Sequence, residues 1–451
     1  MSALQARFRE ELHAHAAPAP GERLLVALSG GLDSVVLLHL LRFGGATEGV
    51  DVVAAHFDHT MRSSSGDDAL WVRGLCRAWG VPLHVGRAPA APGSEEEARR
   101  ARYAFLERVR VEVGARLVLT AHHADDQAET VLFRAVRGTG QAGLAGIPAR
   151  REPGICRPLL RSWRDELEEY AKGVRLTCRE DPTNAMVGYA RNAIRHRILP
   201  EIERLVAPGA RAALVRLADL AREDEAGWAS VLPALMEPLR LSVDAHGFSL
   251  DRTGLVALHP AVQARILRHL AADVGARFDE RATRLALELA GRAASGRTIA
   301  LGGAWTLRSD LDRLVLARVR DVAPDIPLLI PDAGPGAGDA RIAGERVAVV
   351  WGSEASELAG RAVRCSESFD PGALRFPLTV RAREPGDRIR LAGGAKKVKK
   401  LFLERRLPTT RRERAPLLVD AEGDVLWIPE VARADLPRGG SHGGAVRIGI
   451  G

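Results

Sequence analysis

From residue 23 the chain alternates short apolar runs with longer stretches whose apolar positions recur at helical spacing. The runs LLVALS (24–29), VDVVAAHF (50–57), PLHVGR (82–87) and RLVLTAHH (116–123) are predicted strands. Between and after them, SVVLLHLLRF, DDALWVRGLCRAWG, SEEEARRARYAFLERVRVEVG and DDQAETVLFRAVRG read as helices. The strands lack strict alternation, as strands do when both faces are covered, so the pattern predicts an α/β domain on a doubly wound parallel sheet. Ligands of such sheets bind beyond the carboxyl ends of the strands, which places residues 29–34, 56–62 and 122–129 along one edge.

After residue 150 the alternation stops, and PLLRSWRDELEEYAKG and YARNAIRHRILPEIERLV read as helices packed beside the sheet. A mainly helical stretch follows, with HPAVQARILRHLAADVG and ERATRLALELAGRA, and closes in the strand-like IALGGAWTLRSDLDRLVLARV. The segment DVAPDIPLLIPDAGPGAGDARIAG, rich in Pro, Gly and Asp, is the predicted linker. Beyond it FPLTVRAREPGDRIRL, APLLVDAEGDVLWIPEV and GAVRIGIG read as short strands with turns. The expected organisation is an α/β domain over 1–208, a mainly helical middle domain over 209–320, a linker and the start of the C-terminal region over 321–369, and a small β-rich domain over 370–451.

Composition changes this picture in three places. With 46% apolar residues in 451, several domains can each bury a core. The net charge of +8 favours an anionic partner such as nucleic acid, though it also suits a basic soluble enzyme. Four of the five lysines crowd into residues 396–400 of a chain that otherwise uses arginine, so that block asks for a cause. Cys76, Cys156, Cys178 and Cys365 form no CxxC pair, which argues against a structural zinc site, an iron–sulfur cluster or a disulfide framework and fits a reducing cytoplasm. No apolar run approaches the roughly 20 residues of a membrane span, and LQARFREELHAH carries acids where a signal peptide needs an apolar core.

Two segments carry candidate chemistry. In SGGLDS (29–34), Gly30 and Gly31 let the backbone approach an anion, and the helix that follows offers free N–H groups and its positive dipole end. Ser29 and Ser34 add hydroxyls. The lysine of a Walker loop is missing, and Asp33 stands at the turn, so it either caps the helix or acts through Mg²⁺. In HHADDQAET (122–130), a helix starting near Asp125 sets Asp126 and Glu129 at i, i+3 and Asp125 and Glu129 at i, i+4, on one face. Acids in a first turn also simply complement the dipole. Beside the glycine loop, however, they would suit a metal–nucleotide complex or an ammonium group. The His122-His123 doublet reads as buried or nucleotide-contacting rather than as a metal pair, since no ligand set is complete.

SGGLDS after a first strand resembles the PP-loop of ATP pyrophosphatases. Taken with HFDHTMR (56–62), EEEARRARY (95–103), TAHHADDQAET (120–130), GLAGI (143–147), RPLLR (157–161), DPTN (181–184) and RNAIRHRILP (191–200), the chain resembles the tRNA(Ile)-lysidine synthase family. REPGDRIR (383–390), KKVKKLFLERRLP (396–408), APLLV and VLWIPEV (415–431) and LGGAWTLRSDLDRLVL extend the resemblance over nearly the whole length.

The resemblance implies ATP-dependent ligation of free L-lysine to C2 of the wobble cytidine in an isoleucine tRNA with a CAU anticodon, which changes the codon and amino-acid identity of that tRNA. ATP would adenylate the C2 oxygen, and the lysine amine would then displace AMP. The oxygen is otherwise a poor leaving group, and the neutral amine lies roughly 4.6 kcal/mol above the ammonium at pH 7, so a group must take its proton. The resemblance assigns ATP contacts to Ser29, Gly30, Gly31, Leu32, Asp33, Ser34, His56 and His122, and Mg²⁺ to Asp33 and Asp126. Asp33, Asp126, Glu129, Arg102 and Arg191 are the implied catalytic residues. Arg383, Arg388, Lys396, Lys397, Lys399, Lys400, Arg405 and Arg406 are implied to grip the tRNA, by its phosphates more than its bases. Lys400 stands where the family commonly has an acid, and Glu430 where it usually has glycine. A cytoplasmic protein with no membrane partner is expected, and a homodimer is left open.

Two alternatives remain at this level. Another PP-loop activity, tRNA thiolation or amide formation with a glutaminase, is opposed by the missing CxxC pairs and by Met1-Ser2 at the start. A tRNA-binding protein without catalysis is opposed by the joint presence of Asp33, Asp126 and Glu129.

Overall fold

The computed structural model describes residues 2–45, 49–58, 60, 65–88, 93–179, 190–292, 296–319, 323–352, 363–436 and 445–451. The DPTN motif and positions 59 and 61–62 of HFDHTMR lie outside them. The chain divides into two compact units, 1–230 and 231–451.

The described residues of the first unit form six strands, β1 (Arg23–Ala27), β2 (Asp51–Asp58), β3 (Leu83–Arg87), β4 (Leu117–Leu119), β5 (Arg150–Arg151) and β6 (Ile155–Cys156). They form one sheet in the order β3-β2-β1-β4-β6-β5, parallel except for the β5–β6 pair. Helices α1 (Ala3–His15), α2 (Leu32–Phe43), α3 (Ser65–Trp79), α4 (Glu95–Glu112), α5 (Ala124–Val136), α6 (Gln141–Leu144) and α7 (Arg164–Gly173) accompany it. Successive strand residues enter opposite cores. Leu24, Val26, Ala54, Leu117 and Leu119 pack with α1, α2, α3 and α7, whereas Leu25, Val53, Ala55 and Val118 pack with Phe105, Leu106 and Val109 of α4. Two covered faces explain why the strands read as continuous apolar runs.

The order β2-β1-β4 fixes the site. The chain runs outward from β1 through β2 to β3, then α4 returns it to the other side of β1 as β4, so the direction of winding reverses between β1 and β4. A crevice opens there at the carboxyl ends, with SGGLDS on one lip and HHADDQAE on the other. After a turn of α-helix, α8 (Ala190–Ala193), a π-helical turn spans Ile194–Ile198 and leads into α9 (Leu199–Leu205). The 27-residue α10 (Ala210–Met236) then crosses the boundary between the units.

In the second unit α11 (Arg252–Val256), α12 (Pro260–Asp273) and α13 (Glu280–Gly291) supply the helical part. A five-stranded antiparallel sheet joins them, built from β7 (Ser242–Asp244), β8 (Gly247–Asp251), β9 (Arg297–Gly302), β10 (Trp305–Asp310) and β11 (Arg313–Arg318). The stretch expected as a linker instead carries β12 (Leu328–Ile330) and β13 (Gly336–Ile342), which pairs along its length with β14 (Glu345–Gly352). The glycines that suggested flexibility are close-approach positions: a Cβ on Gly336 would meet the Trp351 ring at 2.3 Å, and one on Gly338 would meet Leu328 at 2.6 Å.

The remaining strands are β15 (Cys365–Phe369), β16 (Leu378–Arg381), β17 (Arg388–Leu391), β18 (Gly394–Lys397), β19 (Leu417–Val419), β20 (Val425–Ile428), β21 (Ala432–Arg433) and β22 (Val446–Ile450). They complete a four-stranded and a seven-stranded sheet, with α14 (Val398–Glu404) and α15 (Thr409–Arg414) between β18 and β19. No helix among the described residues is long and apolar enough to cross a membrane.

Candidate active site

The glycine loop follows from one left-handed residue and one hydroxyl. Gly30 sits at φ +94°, where an L side chain is strained. Ser34 Oγ accepts from the N–H groups of Ser29 and Gly30, each at 3.2 Å, and donates to the Gly31 carbonyl at 2.9 Å. Gly31 is the N-cap of α2 and brings no side-chain cap, so the first N–H groups of the helix, from Leu32, Asp33 and Ser34, are left for an anion. His56, at the end of β2, is buried and is held by its Nδ1, which donates to the Leu28 carbonyl at 2.9 Å; its buried Nε2 has no hydrogen-bond partner among the described residues.

On the opposite lip His123 is the N-cap residue of α5, and Asp126 accepts from its N–H at 3.0 Å. The His123 ring links the two lips: Nε2 lies 3.8 Å from Asp33 and 3.6 Å from Asp126, and Nδ1 lies 3.4 Å from Asp125. Burial opposes charge on this imidazole, but Asp126, Asp125 and Asp33 outweigh it and raise its pKa above the ordinary histidine value. Its neighbour behaves oppositely. Burial pushes the His122 imidazole down to about 3, and the neutral ring bonds through Nδ1 to Thr120 Oγ1 at 2.9 Å.

Each carboxylate also has an arginine that the motifs do not single out. Arg164 Nη1 donates to both oxygens of Asp33, at 2.7 and 2.6 Å. Arg211 Nη1 donates to Asp125 at 2.7 Å, and the Arg164 N–H to the other oxygen of Asp125 at 2.9 Å. Arg195, on the π-helical turn, pairs with Glu129 and reaches Asp126 at 2.8 Å. Burial would raise all four carboxyl groups. His123 and its partners overcome that for Asp125 and Asp126, which shift down, while Asp33 and Glu129 stay raised. The site thus shifts Asp125 and Asp126 toward the ionised form, and Asp33 and Glu129 away from it.

Arg191 is expected at this edge, and its Nη2 donates to Thr130 Oγ1 at 3.0 Å, one residue past Glu129. Arg195, one helical turn further along RNAIRHR, is the residue that grips the acids. Spacing alone carried that signal, since i and i+4 share a helix face. Arg102 stacks on Tyr103, its guanidinium 5.5 Å from the ring centroid, and burial lowers its pKa.

Among the described residues no three His, Cys, Asp or Glu side chains converge into a ready metal cage. Mg²⁺ does not require one, because it takes one or two carboxylates and completes its shell with water and phosphate oxygens. Asp33 and Asp126, which approach the same His123 nitrogen, fit such an ion bound together with a nucleotide.

In the second unit the residues expected to grip RNA form an exposed basic face. Val398, Leu401 and Phe402 turn the apolar side of α14 into the core and leave Lys399 and Lys400 in solvent with Lys397, Arg405 and Arg406. Arg383 and Arg388 are exposed nearby in sequence. Lys396 is the exception, half-buried and paired with Glu404 at 2.6 Å. Glu430 adopts φ +59°, which accounts for a position where glycine is usual, and its carboxylate pairs with Arg411.

Comparison with known proteins agrees with both ends of the chain. A model described as a PP-loop domain matches residues 4–202, and one described as the TilS substrate C-terminal domain matches residues 378–447. The chain is 35% identical to the tRNA(Ile)-lysidine synthase of Symbiobacterium thermophilum, over 95% of this chain and 93% of that one. It is 32% identical to that of Thermotoga maritima, over 92% of each. Among solved structures it is similar to the U34-tRNA thiolase NcsA from Methanococcus maripaludis, with 17% identity and a TM-score of 0.41 over 49% of this chain and 79% of that one.

Proposed function

The chain belongs to the tRNA(Ile)-lysidine synthase family, ATP-using ligases with a PP-loop, and we propose that it joins free lysine to C2 of the wobble cytidine of a CAU-anticodon isoleucine tRNA, with release of AMP and pyrophosphate. One observation carries this reading: the uncapped N-terminus of α2 and the acids of α5 face each other across the crevice between β1 and β4. A phosphate chain and an ammonium group therefore have adjoining sites of the right sign.

In the first step the C2 oxygen of cytidine attacks the α-phosphorus of ATP, the bond to the β-phosphate bridging oxygen breaks, and pyrophosphate leaves. The N–H groups at the start of α2, with Ser29 and Ser34, receive the leaving phosphates. Mg²⁺, held by Asp33 and Asp126, would supply the charge neutralisation that lets an anionic phosphate sit beside carboxylates. In the second step the lysine nitrogen attacks C2, the bond from C2 to oxygen breaks, and AMP departs. Asp126 and Glu129 hold the ammonium. Glu129, whose pKa burial raises, is as a carboxylate a stronger base than an exposed one, and it is the group suited to take the proton that frees the lone pair. Arg191 and Arg102 balance the negative charge on the adenylate.

The test is transfer of labelled lysine to a CAU-anticodon tRNA with ATP, run beside the same tRNA carrying another wobble base. Incorporation into the first only, with stoichiometric pyrophosphate, is the expected outcome. A protein that binds this tRNA yet releases no pyrophosphate and incorporates no lysine would refute the reading.

A further inference from the structure

A second group of charges at the same edge is the reverse of the first. Three guanidinium groups surround the Tyr103 ring: Arg151 at 4.8 Å from its centroid, Arg99 at 5.0 Å and Arg102 at 5.5 Å. Arg157 lies beneath them, 1% exposed, its Nη1 donating to the Pro148 carbonyl at 2.7 Å. None of these four arginines makes an ion pair among the described residues, whereas every carboxylate of the crevice is paired with an arginine, Asp126 and Glu129 sharing Arg195. Arg157 Nε is buried with no hydrogen-bond partner among the described residues, and the buried Tyr103 hydroxyl lies against the Arg157 and Arg102 guanidinium groups. Like charges gathered without a counter-ion, with a buried donor unsatisfied, are costly unless an anion completes them.

The position of the group separates it from the glycine loop. Tyr103 and its arginines belong to α4 and to the β5–β6 end of the sheet, and α4 covers the face opposite to α2. His122, three residues past the end of β4, is within electrostatic reach of Asp126 and of Arg157, Arg102 and Arg99. In an in-line displacement at phosphorus the attacking and leaving groups are on opposite sides. If pyrophosphate leaves toward α2, the nucleotide that attacks approaches from the α4 side.

We propose that Arg99, Arg102 and Arg151 around Tyr103, backed by Arg157, form a phosphate seat that holds an RNA phosphodiester next to the reacting cytidine. Guanidinium forks match the paired oxygens of a phosphate, and Tyr103 Oη and Arg157 Nε supply the donors beneath it. The seat rests on the proposed function for the identity of its RNA, but its phosphate chemistry stands independently. The other source of the same chemistry is pyrophosphate itself.

The test uses the full chain with Arg99→Gln and Arg151→Gln, singly and together, Arg→Lys at both positions as the charge-preserving control, and thermal melting to confirm the fold. Binding of the CAU-anticodon tRNA across a salt series and inhibition by pyrophosphate are measured in parallel, with KM for ATP. The double Gln variant is expected to bind tRNA roughly tenfold or more weakly, with a log–log salt slope shallower by about 0.7 for each phosphate no longer neutralised, an unchanged KM for ATP and partial recovery in the Lys control. Weaker pyrophosphate inhibition with unaltered tRNA binding would keep a phosphate seat and overturn its assignment to RNA. A folded double variant with neither change would overturn the seat altogether. Lysine transfer by the unsubstituted protein is read separately, so a protein that uses the seat but never forms lysidine sinks the proposed reaction and not the seat.

Discussion

The acids of the first unit and the lysines of the second are both dense clusters of charge, yet they obey different rules. Asp125 and Glu129 are buried, and each carboxylate from Asp33 to Glu129 is tied to a particular arginine or histidine through defined oxygens. Lys397, Lys399 and Lys400 stand in solvent, where water and salt screen them and no fixed geometry is imposed. A buried cluster is position-specific, and removing one member leaves another uncompensated. An exposed cluster is additive and interchangeable. Reaction chemistry needs the first kind, and a long-range grip on a polyanion needs the second.

The sharpest break is expected at Asp33. Asp33→Ala should slow pyrophosphate release from ATP on the order of 10²–10³-fold while tRNA binding stays near normal; adenylation at an ordinary rate would remove Asp33 from the site. Next comes Arg211→Ala, which leaves Asp125 with a buried oxygen unpaired. Because Arg211 is 38% exposed, the cost should be about 2 kcal/mol rather than the larger value of a fully buried pair, read by urea unfolding of the first transition.

In the basic face, Lys397, Lys399 and Lys400 replaced together by Ala should weaken tRNA binding roughly tenfold and flatten its salt slope by about 0.7–0.9 for each phosphate they neutralise. Replacement by Arg should change little. Lys396→Ala, already committed to Glu404, should have the smallest effect of the four, and an equal loss at all four positions would erase the distinction between the paired lysine and the solvated ones.

Glu430→Gly relaxes a left-handed residue and gives up only an exposed ion pair. It should therefore stabilise the second unit by up to about 1 kcal/mol in denaturant unfolding. The smallest effect concerns pH. Burial pushes the Cys76 and Cys156 thiols up to about 11. A folded pKa above the unfolded one favours the folded state below the unfolded value of about 8.5 and loses that contribution as pH climbs through 11. Unfolding midpoints should therefore hold to about pH 8.5 and decline beyond it, and Cys178 and Cys365, which are only half-buried, should react with a thiol reagent before the other two.

Much of the fold was legible because burial on two faces leaves a one-dimensional trace. The first four strands fall where the apolar runs stood, and the motifs at their carboxyl ends meet in the crevice. The linker reading failed at Gly336 and Gly338 because composition cannot separate a glycine that supplies flexibility from one that yields space to Trp351 or Leu328. Arg164, Arg195 and Arg211 escaped notice for a related reason. In a chain with so many arginines, residue type says nothing, and what singles these three out is contact with acids 131, 66 and 86 residues away.

By itself the sequence determined the elements, their burial and the residue types that chemistry requires, because those depend on local spacing and hydrophobicity. Only the tertiary structure decided which charge answers which. Pairing in a buried site depends on distances of a few ångströms between segments far apart in the chain, and the strand order that brings them together is set by packing across the whole sheet. The same logic left Arg99, Arg102, Arg151 and Arg157 together without an acid, a grouping visible only once α4 lies against the sheet.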